Sequence, residues 1–320
     1  MKKSLFLLFL PILMACEGTF DQVKSVHIDP GPPRLVLLSD FENIYSPKVR
    51  LTVSGDRPFY HWGTAMPLPD DPYPEAPPAT LEVFEDGRSL GLMINDSGTV
   101  FRFPAPYVPL PGRTYRLEAN AEGFPAIHAE TKIPESAPLK AEFTGKHAYF
   151  DRRGEQVQTV EVRLTFPDTP GQADFYGLFI HSHLEDMTGE GTPNYGHYVY
   201  SSDIIFEKES TFSFDTESGG QRSVGYGKNI FTDQTFDGRI KEILLYVETS
   251  HAKEAGINRL YFILQHMSED SYKYQYTRQK ARQNSENPFV QPILIHSNVK
   301  GGGLGILGSY SVSVDSLKIR

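Results

Sequence analysis

The stretch LEVFEDGRSLGLMI, residues 81–94, sets Asp86-Gly87 between two short runs in which apolar and polar side chains alternate. Alternation with a period of two marks a strand buried on one face only. Asp-Gly accepts the positive φ angles of a type I′ turn, so the stretch predicts a β-hairpin. The same alternation recurs outward from it, in KVRLTVS at 48–54 and TYRLEA at 114–119. Up to residue 133 no apolar repeat follows a helical period. Residues 34–135 therefore predict an N-terminal Ig-like β-sandwich. Between its strands, RPFYHWGTAMPLPDDPYPEAPP at 57–78 is a proline-heavy excursion that reads as a long surface loop. Tyr60, His61 and Trp62 lie in it, and their rings either stack on a sugar or peptide ligand or pin the loop to the sandwich.

IPESAP at 133–138, with two prolines bracketing a polar turn, is the domain boundary. Beyond it TVEVRLTF at 159–166 alternates cleanly, and DFYGLFIHSHL, KEILLYVET and RLYFILQH follow as further strands. The continuous apolar run Tyr261-Phe262-Ile263-Leu264 predicts a strand covered on both faces. Residues 268–283 read as a helix, with Ser268 as N-cap, Glu269 and Asp270 in the first turn, and Lys280 and Arg282 near the end. The alternation of Tyr272, Tyr274 and Tyr276 also suits a strand, but the capping pattern favours the helix. The fold class expected is all-β: the Ig-like sandwich, then a larger β-sandwich or barrel-like domain over 138–320 with one short helix near the C-terminus.

The chain starts with an export pattern: Lys2 and Lys3, an apolar run over 5–13, then small Ala15. A helix needs about 20 apolar residues to cross a bilayer, so this run is a signal peptide over 1–15 and no membrane span. Cys16 is the sole cysteine of 320 residues. Disulfides need pairs, and a lone thiol at the cleavage point reads as a lipid attachment site. Leu13-Met14-Ala15-Cys16 resembles the bacterial lipobox, with Met14 standing where a smaller residue is commoner. An ordinary secretory signal with an incidental cysteine is the alternative. Residues 16–33, polar and ending in DPGPP, read as a lipidated tether.

The formal charge of -9 argues against nucleic acid as a partner. GLGILG at 303–308 has the spacing of a dinucleotide fingerprint, which works only between a strand and a helix. Here the remaining SYSVSVDSLKIR reads as a strand, so the glycines mark a close approach of backbones instead. His181 and His183 share one face of a strand, and with Glu185, Asp186 and His197 they make a zinc-like candidate. The alternative is a group of surface histidines at a strand end. No G-x-S-x-G elbow is present, and no second thiol is available as a nucleophile. These features name no catalytic residue and no cofactor, and they predict a protein that is not an enzyme.

Four blocks carry a resemblance: PGRTYRLEANAEGFPAIHAETKIPES, VRLTFPDTPGQADFYGLFI, FTDQTFDGRIKEILLYVE, and the long segment from Arg259 through SYSVS. The last contains Asn287-Pro288-Phe289, Pro292, Ser297-Asn298 and Gly303-Leu304-Gly305 leading to Tyr310. Together they resemble the domain-of-unknown-function 4249 family, lipoproteins of the Bacteroidota. The resemblance implies an outer-membrane lipoprotein without an established activity, often encoded near TonB-dependent receptors. The expected function is a binding or accessory component of such a nutrient transporter. It would be held by a lipid anchor on the periplasmic or cell-surface side of the outer membrane, with a ligand still to be found. Two other readings compete: a surface hydrolase with a metal near His181 and His183, and a structural or adhesive surface protein.

Overall fold

The hairpin at 81–94 forms through Asp86 and Gly87, whose φ angles of 46° and 81° give the turn its left-handed pair. It joins β3 (Ala79–Glu85) to β4 (Arg88–Leu92). The computed structural model describes residues 32–54, 78–150, 156–181, 199–206, 222–223, 229–249, 259–285 and 293–318. Within them the first half also supplies β1 (Leu35–Glu42), β2 (Lys48–Val53), β5 (Ile94–Ser97), β6 (Val100–Arg102), β7 (Thr114–Ala121) and β8 (Ile127–Lys132). The second half supplies β9 (Lys140–Phe150), β10 (Gln156–Pro167), β11 (Phe175–His181), β12 (Val199–Ser201), β13 (Arg222–Ser223), β14 (Ile230–Thr232), β15 (Ile240–Glu248) and β16 (Arg259–Met267). Helix α1 (Glu269–Ser285) and the long β17 (Leu304–Lys318) complete it.

These strands make three sheets. One eight-stranded sheet, in the order β14-β11-β16-β17-β1-β2-β6-β5, runs through the whole molecule. Its left part faces the five-stranded sheet β13-β12-β15-β10-β9, and its right part faces the four-stranded sheet β4-β3-β7-β8. Two apolar cores result. The N-terminal core joins Leu37, Phe41 and Leu51 of the long sheet to Leu81, Leu117 and Ile127 of the small one, with Leu307 from β17. The C-terminal core joins Leu178, Phe262 and Leu264 to Val162, Leu164 and Leu245. Both are sandwiches of open sheets. The barrel-like alternative is not realised, because no barrel closes among the described strands.

The seam between the two halves is the pairing of β1 with β17, from Val36 opposite Leu304 to Glu42 opposite Tyr310. It is the sole parallel ladder among the described strands. GLGILG lies in this seam and no helix follows it. Gly305 has φ +106°, and a Cβ there would collide with the Leu37 carbonyl. At Gly308 a Cβ would strike the Asp40 carboxylate and the Ser271 hydroxyl. The glycines therefore permit contact between strands and helix. Asn298 closes the seam's other side by copying a strand: its Nδ2 donates to Leu307 O (2.9 Å) and its Oδ1 accepts from Leu307 N (3.0 Å).

Strand β16 is buried on both faces. Leu260, Phe262 and Leu264 enter the C-terminal core, and Ile263 and Met267 on the opposite side are also buried. Helix α1 starts where β16 ends, with Ser268 Oγ accepting the Ser271 amide (3.3 Å) and a Glu269–Lys273 pair spanning the first turn (2.7 Å). In a helix Tyr272 and Tyr276 fall on one side, four residues apart, and their rings stack at 6.0 Å. No helix among the described residues is long and apolar enough to cross a membrane.

Candidate functional site

A cleft of about 740 Å³ opens where the two sandwiches meet. Its walls come from the end of β8 and the segment after it (Thr131, Glu135), from the β10–β11 loop (Gln172, Asp174), and from the head of α1 (Glu269, Asp270). His266, near the end of β16, lies at its floor and is buried. The imidazole stacks on Tyr176 at 4.9 Å. Its Nδ1 is 2.7 Å from the Glu135 carbonyl oxygen, and its Nε2 is 2.9 Å from Asp174 Oδ1. A carbonyl only accepts, so Nδ1 carries a proton. The second contact then takes its proton from Nε2 or from the Asp174 carboxyl.

Asp174 belongs to a larger acidic group. The β10–β11 loop, 168–174, and the turn after β14, 233–239, come together because β11 pairs with β14, Phe175 opposite Thr232. The two loops lace into each other: Asp174 N donates to Asp233 Oδ2 (3.0 Å), Asp233 N to Asp174 O (3.2 Å), and Gly238 N to Asp168 Oδ2 (2.8 Å). The Tyr176 hydroxyl donates to Asp168 Oδ1 (2.7 Å), and Gln172 Nε2 donates to Asp174 Oδ1 (2.8 Å). One carboxylate oxygen from each of Asp168, Asp174 and Asp233 lies within 4.8 Å of the others. Asp174 is 1 % exposed, and among the described residues its Oδ2 has no hydrogen-bond partner. Burial pushes the Asp233 carboxyl above the ordinary range, and the neighbouring Asp168 and Asp174 charges push the same way. The Tyr176 phenol is raised as well, first by burial and then by its bond to Asp168.

A second polar groove, of about 520 Å³, lies between α1 and the part of the long sheet around β1 and β2. Tyr274 and Arg278 look into it from the helix, and Asp40 and Lys48 from the strands. Surrounding protein atoms push the Asp40 carboxyl up to about 6, while Arg278 draws it down. The residue still keeps contact with water at the mouth of the groove.

His181 is the last residue of β11, half-buried, with its ring 6.5 Å from Phe179. His183 and His197 lie outside the described residues, as do Cys16, Tyr60 and Trp62. Among the described residues the group with metal-ligand spacing is Asp168, Asp174 and Asp233, and His181 has no place in it. Sequence reasoning missed those three aspartates and His266. The signal was there in PDTPGQAD and TDQTFDG, two turn segments dense in Asp, Gly and Pro, each directly after a strand.

No curated protein matches the chain in sequence. Among solved structures it is similar to a mutant of Salmonella alpha-2-macroglobulin, at 12% identity and a TM-score of 0.23 over 76% of this chain, which spans 14% of that protein's length. The family profile described as Domain of unknown function (DUF4249) matches residues 28–316, and the chain belongs to that family.

Proposed function

We propose that this protein is a lipid-anchored binding component of the bacterial outer membrane, working beside a TonB-dependent nutrient transporter. The observation that carries the reading is Cys16: one cysteine in 320 residues, placed directly after a positive start, an apolar run and Leu13-Met14-Ala15. Each acyl methylene in the bilayer contributes about 0.8 kcal/mol, and two or more chains on the cysteine hold a protein at the membrane durably. The polar stretch 17–33 then separates the lipid from β1, which starts at Leu35. A double sandwich on such a tether offers a firm scaffold whose loops and clefts are free to meet a partner. The cleft around His266 is the surface best suited to that role, since its size suits a small ligand and its walls mix apolar surface with polar groups that could orient one.

Two measurements test the reading. Cys16→Ser should move the protein from the membrane to the soluble fraction and abolish lipid labelling; unchanged attachment and labelling would sink the anchor. Affinity purification from gently solubilised membranes, followed by mass spectrometry, should recover a TonB-dependent receptor in stoichiometric amount. Recovery of the protein alone would rule out the accessory role.

A further inference from the structure

We propose that Asp168, Asp174 and Asp233 form a calcium-binding site that ties the β10–β11 loop to the turn after β14. This inference stands independently of the membrane role. The gathering of carboxylates is the first reason. Asp168, Asp174 and Asp233 each bring one carboxylate oxygen within 4.8 Å of the others. Among the described residues no lysine or arginine forms an ion pair with any of the three, and Asp174 has His266 as its ion-pair partner. A divalent cation would offset the acidic charge gathered there.

The second reason is Asp174 Oδ2. Leaving a buried carboxylate oxygen without a partner is costly. Gln172 and His266 already hold Oδ1, so the free oxygen is the one left for a ligand. A cation is the ligand that carboxylate oxygens drawn from three directions recognise.

The donor set selects the ion. All three side chains offer oxygen, whereas zinc sites favour nitrogen and sulfur. Calcium accepts several carboxylate oxygens at about 2.3–2.6 Å in flexible geometry, which three gathered aspartates can supply. Magnesium keeps several waters and usually takes one or two carboxylates, so it suits a three-carboxylate group less well. A bound ion would hold the two loops over the aromatic layer formed by Phe166, Tyr176, Phe231 and Phe236. Through Asp174 and His266 it would also fix one wall of the cleft.

The test uses the folded chain after EGTA treatment and removal of the chelator. Calcium chloride should raise the melting temperature by several degrees, and titration calorimetry should give one site. Magnesium at equal concentration should produce a much smaller shift. Terbium should luminesce when tyrosine is excited, because Tyr176 touches Asp168, and calcium should displace it. Asp233→Asn should weaken calcium binding at least tenfold while leaving the calcium-free melting temperature near that of the parent. Should that variant fail to fold, the terbium and calorimetry results on the unaltered chain decide. Absence of any calcium-dependent heat, shift or luminescence overturns the proposal. So does an undiminished calcium response in Asp233→Asn, or a magnesium response equal to that of calcium.

Discussion

Each sandwich ends its aromatic layer with a fully buried tyrosine that donates to a carboxylate, and the two ends differ in what surrounds that bond. In the N-terminal sandwich Tyr107 and Tyr115 both donate to Glu85 Oε1 (2.8 Å each), and the Tyr115 oxygen accepts the Leu110 amide (2.9 Å). One carboxylate meets two phenols there, and the knot is closed. In the C-terminal sandwich the Tyr176 phenol bonds to Asp168, one of three gathered carboxylates, and among the described residues one of the three has an oxygen to spare. The contrast shows how the same rim device serves packing when donors match acceptors and leaves room for a ligand when acceptors are in excess.

The largest expected effect lies at the seam the two sandwiches share. Gly305→Val forces a side chain onto the Leu37 carbonyl at a φ that valine resists, and should cost about 4 kcal/mol or more. Chemical denaturation followed by circular dichroism should show both halves lost together; survival of one half would break the picture of a single joined body. Next come matched core truncations, Leu117→Ala in the N-terminal core and Leu245→Ala in the C-terminal one. Each should cost about 2–5 kcal/mol within one transition. Two separate transitions in either variant would show that the sandwiches melt independently.

Tyr115→Phe should cost about 1–3 kcal/mol, because the Leu110 amide then loses its acceptor in a half-buried site. A melt unchanged by that substitution would show that the N-terminal knot is not what closes its rim. Ser268→Ala removes the cap of α1 and should cost about 1 kcal/mol by the same denaturation assay.

The smallest effect is the pH dependence of Asp40. Its carboxyl is raised in the folded protein from 3.8 to about 6, so between those values the native state binds more protons than the unfolded chain. Stability from this group is therefore full below pH 3.8 and declines as pH rises through about 6. Water at the groove mouth screens the effect and keeps it small. Asp40→Asn should flatten the slope of stability between pH 4 and 6, and an unaltered slope would show that Asp40 does not set it.

Local features of the chain were legible in advance. The hairpin rested on Asp86-Gly87, the alternating strands on period-two burial, and α1 on Ser268 with its acidic first turn. These depend on neighbours in sequence, which is why periodicity and capping reach them. What stayed hidden depends on pairing across distance. Nothing near Gly305 says that Leu37 will lie against it, and nothing near Asp174 says that Asp233 will join it through β11 and β14. His266 read as one more residue of an apolar strand. Its role follows from the Glu135 carbonyl and Asp174, which β16 meets only in the folded molecule.

The β1–β17 ladder also bears on how the protein comes to be folded. Val36 finds its partner in Leu304, so the seam cannot close until almost the whole polypeptide is available. Pairings this remote are slow, because loop closure precedes any reward from contact. Through that interval β1 and β16 both stand as bare edges, open to pairing with a second chain. Arrival of the last strand ends the exposure on both sides at once, so the time that β17 takes to dock sets the window in which this protein is prone to aggregate.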